Sequence, residues 1–185
     1  MKKIIYLACV IMCFVVGGAG AVSQIVEVGP YDVTFDSGLD EPLEVFDSEV
    51  DVDNDSNTVT YIAALAGQES EEDIVAIFVI DYDLGSMSIL QPFINGVVVS
   101  KELMNDTFGG WFNTPIQSTY LEIDGQQAVI GRGRVADNSS ELYSAIWPVK
   151  NNMAFAFLIS RLPWEDGTSS LVKTIHVERR DIWIN

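Results

Sequence analysis

Asp51, Asp53 and Asp55 alternate along the stretch DVDNDSN, which Asn57 closes, a spacing that opens many calcium-binding loops. The loop template also needs glycine at its sixth place and a bidentate acid at its twelfth. Here those places hold Ser56 and Ile62, so an EF-hand is excluded. A β-hairpin accounts for the stretch better. With Asn54-Asp55-Ser56-Asn57 as a four-residue loop, Asp53 faces Thr58, Val52 faces Val59, Asp51 faces Thr60 and Val50 faces Tyr61. That register places apolar residues on an inner face and polar ones on an outer face, with turn formers at the corner. A weak, exposed calcium site on Asp51, Asp53 and Asp55, and a glycan on Asn54, are the alternative uses of the tip.

No other constellation carries a catalytic signature. His176 is the only histidine, and no Gly-x-Ser-x-Gly elbow accompanies it, so it reads as a histidine near a helix C-terminus. Carboxylate pairs such as Glu122 with Asp124, or Glu165 with Asp166, could serve glycoside hydrolysis, but pairs of this kind arise in any chain so acidic. Arg132 and Arg134, in GRGR, share one face of a strand. They read either as cross-strand partners of nearby acids or as a small anion-binding patch. Trp111 follows two glycines and Trp164 follows Pro163, so both are expected on loops, where aromatic side chains favour contact surfaces. Trp147 alternates with Tyr143 and Ala145 and is expected in the core.

The N-terminus bears on compartment. Lys2 and Lys3 precede an apolar run, Ile4 to Val16, and Ala19-Gly20-Ala21 supplies the small-x-small pattern of a signal peptidase site. The run is shorter than the roughly 20 residues that span a bilayer, which favours a cleaved signal (1–21) over a retained anchor. Both cysteines, Cys9 and Cys13, fall inside it, and neither has a lipoprotein context. Residues 22–185 are then cysteine-free, which excludes disulfides, thiolate metal sites and a cysteine nucleophile. With a single histidine, zinc is left with carboxylates alone.

The formal charge of −17 becomes −19 once Lys2 and Lys3 are removed. Such a surface repels nucleic acid and anionic membranes. Sequons at Asn54, Asn105 and Asn138 suit an exported protein.

No repeat or linker divides residues 22–185, so one domain is expected. Tyr31 to Phe35 alternates as a half-buried strand. Leu43 to Asp53 and Thr58 to Ala66 form the hairpin above. Ile74 to Tyr82, IVAIFVIDY, reads as a central strand covered on both faces. Helical spacing runs from Ser86 to Met104, and Asn105 to Pro115 reads as a loop. Tyr120 to Ile123 and Gln127 to Val135 flank Asp124-Gly125, a type I′ turn signal. Leu142 to Val149 and Met153 to Arg161 form a further hairpin, with the second strand again covered on both faces. Thr168 to His176 reads as a helix and DIWIN as a last strand. This order predicts an α+β domain: a central antiparallel sheet flanked by helices.

The pattern from LEIDGQQAVIGRGRV through AFLISRLPW to TIHV, with YDVTFDSGL as an opening strand, resembles the PsbP-like and DcrB-like fold group. The resemblance implies a helix-flanked antiparallel sheet and a generally non-catalytic accessory or binding role. It transfers no metal-binding residues to this chain. The expectation is therefore a secreted or cell-surface binding domain, a monomer or weak oligomer without a resident cofactor. Its partner would be a protein, glycan or small molecule. A structural subunit of a surface layer and an extracellular hydrolase are the alternatives.

Overall fold

A computed structural model describes residues 22–55, 57–67, 74–82, 101–112, 116–135, 141–150 and 154–180. The side chains of residues 82, 102, 103, 107, 111 and 166 are excepted from that description. The expected signal segment 1–21, most of the helix expected from Ser86, the Asn138 sequon and the expected DIWIN strand lie outside the described residues.

Ten strands and two short helices make up the described chain. The strands are β1 (Ser23–Val28), β2 (Tyr31–Asp36), β3 (Glu44–Asp53), β4 (Thr58–Ala66), β5 (Ile74–Tyr82), β6 (Gln117–Ile123), β7 (Gln126–Arg134), β8 (Glu141–Pro148), β9 (Ala154–Ser160) and β10 (His176–Arg179). The helices are α1 (Lys101–Phe108) and α2 (Ser169–Thr174). All strand pairs are antiparallel. One sheet has the order β1-β2-β10 and the other the order β3-β4-β5-β9-β8-β7-β6.

The expected helix-flanked α+β domain is thereby overturned. The described chain is mostly strand, its α-helices have only eight and six residues, and the main cover over the large sheet is a second sheet. The helix expected from Thr168 to His176 forms over Ser169–Thr174, but its expected last residue, His176, instead opens β10. The backbone turns extended at Ile175, and His176 to Arg179 then pair with Thr34 to Tyr31 of β2. A helix there would leave β2 an open edge, so sheet closure outweighs the local helical pattern.

Alternation along each strand builds two cores. On one face, Ala63, Leu65, Val75, Ile77, Val79, Ala145, Trp147, Ala156 and Leu158 of the large sheet meet Val26, Val28, Tyr31, Val33, Phe35 and Val177 of the small one. Leu171, Val172 and Ile175 of the α2 segment close that layer. Burying each large side chain fully contributes roughly 1.5–3 kcal/mol. The opposite face carries Val129, Leu142, Ile146, Phe157 and Ile159 under Met104 and Phe108 of α1 and the following Phe112. The expected double burial of β5 and β9 is present, because their alternate residues supply both cores.

A buried amide joins the layers. Gln24 of β1 donates from Nε2 to the Leu43 carbonyl at 3.2 Å and accepts the Leu43 N–H on Oε1 at 2.8 Å. Its side chain thus acts as a short strand partner for backbone that would otherwise be orphaned. Gly29, in the β1–β2 turn, has φ +59° and lies under the Tyr61 ring, 2.1 Å from where a Cβ would stand. Both the backbone angle and the ring demand glycine.

Candidate functional site

The residues expected to do chemistry separate into three places. At the β3–β4 tip, the observed register is the predicted one: Asp53 opposite Thr58, Val52 opposite Val59, Asp51 opposite Thr60, Val50 opposite Tyr61. The predicted inner face is corrected, however. Val50 and Val52 are 57% and 55% exposed, because no described residue covers the end of this hairpin on that side. Asp53 Oδ1 accepts the Asp55 N–H at 2.9 Å, and Asn57 takes φ +57°, so the aspartates and asparagine shape the corner. Among the described residues no group of three or more histidine, cysteine or acidic side chains is arranged to hold a metal ion. Asn54 is exposed in this turn. Asn105 is exposed on α1, whose residues Lys101 to Met104 lie in the expected helix and whose residues Asn105 to Phe108 lie in the stretch expected as a loop.

Around Asp124 the sheets are tied together. Asp124 and Gly125 have φ +53° and +68°, the positive values of the expected type I′ turn, and Ile123 pairs with Gln126 across it. Asp124 Oδ1 lies 2.6 Å from His176 Nδ1, and Oδ2 accepts the Val177 N–H at 3.0 Å. The hairpin of the large sheet is thus bonded to β10 of the small one. A second tie joins Arg179 Nη1 and Asp81 Oδ2 at 3.3 Å, with the guanidinium 5.8 Å from the Tyr31 ring centre. Burial, and then the Asp81 charge, push the Tyr31 phenol well above its ordinary value. The hydroxyl lies toward Asp81 without reaching hydrogen-bond geometry, and the Trp147 Nε1–H is likewise buried without an acceptor.

The third place gathers three of the four residues expected to contact a ligand, Arg132, Arg134 and Trp164. Arg132 on β7 pairs with Tyr143 on β8, and Arg134 pairs with Glu141. Arg132 Nη2 donates to Glu141 Oε1, while Tyr143 Oη donates to Glu141 Oε2 at 2.8 Å. The guanidinium also stands 5.8 Å from the Tyr143 ring centre. Trp164 lies 5.4 Å from Tyr143 at an interplanar angle of 35°. The result is a continuous strip: guanidinium, phenol, indole, with one carboxylate holding the first two.

The electrostatics follow from this strip. The Arg132 hydrogen bond, aided by the Tyr143 hydroxyl, holds the Glu141 carboxyl below the usual range. Burial, reinforced by the bond to Glu141, pushes the Tyr143 phenol up to about 12. Both shifts favour the bonded form, a neutral phenol donating to an ionised carboxylate. Trp164 remains 39% exposed.

Local sequence explains why these side chains share a face. In GRGR the arginines project to one side, and Gly131 and Gly133 leave room on the other. A Cβ on Gly133 would stand 2.1 Å from the Phe112 ring, and one on Gly131 would stand 2.6 Å from Ile116. The glycines therefore seat the chain after α1, and the arginines are what remains outward. Trp164 is presented by a π-helical turn, Trp164–Thr168. Thr168 Oγ1 donates to the Leu162 carbonyl at 2.7 Å and lies 2.8 Å from Ser160 Oγ, which fixes that turn. Trp111 ends the 3-10 turn Gly109–Trp111, and its side chain lies outside the described residues. Glu141 and Tyr143 were missed by sequence reasoning. The signal that could have found them is the cross-strand register that sets Glu141 and Tyr143 opposite Arg134 and Arg132.

No protein-family model, curated protein or solved structure matches the chain. The class defined by its own geometry is a two-sheet antiparallel β domain in which exposed Arg132 and Trp164 flank the buried Tyr143 ring. Among the described residues no helix is long and apolar enough to cross a membrane.

Proposed function

We propose that this protein is an exported, non-catalytic binding domain whose contact surface is formed by Trp164 and Arg132 over the buried Tyr143 ring. The carrying observation is the half-exposed Trp164 ring stacked against a Tyr143 that Glu141 and Arg132 hold in place. A binding surface benefits from aromatic side chains ordered before contact, since little rotamer freedom is then lost. The flat Trp164 ring suits the apolar face of a sugar or a peptide side chain, and the flanking guanidinium suits its polar groups. The charged groups here bond one another, which supports recognition over acid–base chemistry.

The purified protein, screened against oligosaccharide and peptide arrays, tests this reading. Wild type is expected to retain ligands that Trp164→Ala and Arg132→Ala both release, with unchanged circular dichroism. Binding indifferent to both substitutions, or turnover of an arrayed oligosaccharide or peptide, would overturn it. A large homogeneous assembly in size-exclusion chromatography would favour a surface-layer subunit instead.

A further inference from the structure

We infer that the outer edge of β3 is a strand-addition site for a partner β-strand carrying lysine or arginine at alternate positions and apolar residues between them. This surface is separate from the strip above.

Three properties of β3 converge on that occupant. Its ten residues end the large sheet, and among the described residues no strand pairs with its outer side. Outward N–H and C=O groups are therefore presented along about 34 Å, at roughly 3.4 Å per residue. Next, its two faces differ. Asp47, Glu49 and Asp51 project to one side, opposite Ala64, Ile62 and Thr60 of β4. Ser48, Val50 and Val52 project to the other, beside Ala63, Tyr61 and Val59. Among the described residues no cation pairs with Asp47, Glu49 or Asp51. Finally, exposed apolar groups concentrate here: Phe46, at a bulge, is 61% exposed, alongside the half-exposed Val50 and Val52.

Charges and a bulge are also the usual means of blunting an edge against unwanted pairing. An edge that was only blunted would have no use for three exposed large apolar side chains on the same strand. The combination instead specifies which strand is admitted. Directly opposed residues in a sheet lie on the same face, and like charges there repel. Between two copies of β3 across Asp47 to Val52, every antiparallel register sets carboxylate against carboxylate or carboxylate against serine and valine. A second copy is therefore rejected. A strand alternating basic and apolar residues instead sets cation against carboxylate on one face and continues the Val50–Tyr61 and Val52–Val59 apolar rows on the other. This is strand addition in which backbone gives affinity and alternate side chains give selection.

The test is fluorescence polarisation of a labelled peptide alternating lysine and valine, using the full protein. The triple variant Asp47→Lys, Glu49→Lys, Asp51→Lys is expected to weaken binding by roughly tenfold or more. A control reversal of three exposed acids elsewhere, Asp40, Glu122 and Glu165, should leave it nearly unchanged. Affinity should fall several-fold as ionic strength rises well above about 0.15 M. The milder Glu49→Gln, which leaves size and fold intact, should give a graded loss. The same peptide N-methylated throughout, unable to donate backbone hydrogen bonds, should not bind. Equal weakening by the two triple variants, or undiminished binding of the N-methylated peptide, would reduce the effect to general acidity and overturn the proposal. So would concentration-dependent dimerisation of the wild type that Glu49→Gln alters.

Discussion

His176 Nδ1 and Asp124 Oδ1 lie 2.6 Å apart, although 52 positions separate them in the chain. The contact joins a turn of the seven-stranded sheet to the short strand that completes the three-stranded one. Asp124 also accepts the Val177 N–H, so one carboxylate serves both side chain and backbone of β10. A residue that pattern alone offered as half of a hydrolytic pair is instead a structural tie between layers.

Replacing Asp124 with alanine should therefore destabilise the protein by about 1–3 kcal/mol, through an orphaned N–H and a positive φ without its favoured residue. Asp124→Asn keeps the turn preference and one acceptor, and should cost less. Urea denaturation of the two variants measures the difference. Equal losses would mean that the charge, and not the turn and acceptor, matters.

Glycines of equal backbone angle should respond unequally. Gly29 and Gly125 have φ +59° and +68°, but only Gly29 lies against a ring. Gly125→Ala should cost about 1–2 kcal/mol, the usual cost of a left-handed L-residue. Gly29→Ala should cost more, since Tyr61 must also move, and it should alter near-ultraviolet dichroism. Thermal unfolding of both variants checks the order.

Removing the Gln24 amide by Gln24→Met should destabilise by about 1–3 kcal/mol, because both backbone groups of Leu43 lose their partners in a buried site. Hydrogen exchange at the Leu43 amide should quicken in step. An unchanged exchange rate would show that another group protects it.

The strip should reveal itself in the pH dependence of stability. Glu141 has a folded value below its unfolded one. Its contribution is present above the ordinary carboxylate range and is lost as pH falls through the folded value. Tyr143 has a folded value raised to about 12. Its contribution is present below about pH 10 and is lost as pH rises from there toward about 12. Arg132→Gln should flatten the acid limb of urea midpoints, and Tyr143→Phe should flatten the alkaline limb. Because Arg132 and Glu141 are well exposed, salt should shrink the acid-limb effect.

Strands whose residues alternate, or which are covered on both faces, were legible before any coordinates. Val50 to Asp53 against Thr58 to Tyr61, and Ile123 against Gln126, pair as the residue order predicts. Turn chemistry sets those registers locally, within a few residues of each corner. The strand β1 was illegible because its inward positions hold Gln24, Val26 and Val28 while Ile25 faces out at 38% exposure, so polarity does not mark its face. Its Gln24 is satisfied by Leu43, a partner from another segment. The helix expected from Thr168 to His176 stops at Thr174 for a similar reason: β2 offers a sheet edge that local spacing cannot register.

By itself, the sequence determined strand periodicity, hairpin register and the acidic surface, since each depends on residues near in the chain or on simple sums of charge. Tertiary structure alone decided that two sheets stack, that Asp124 meets His176, and that Arg132, Tyr143 and Trp164 form one strip. Those outcomes depend on which apolar faces are buried against each other. That choice is made by packing among distant segments, where no short-range pattern reaches.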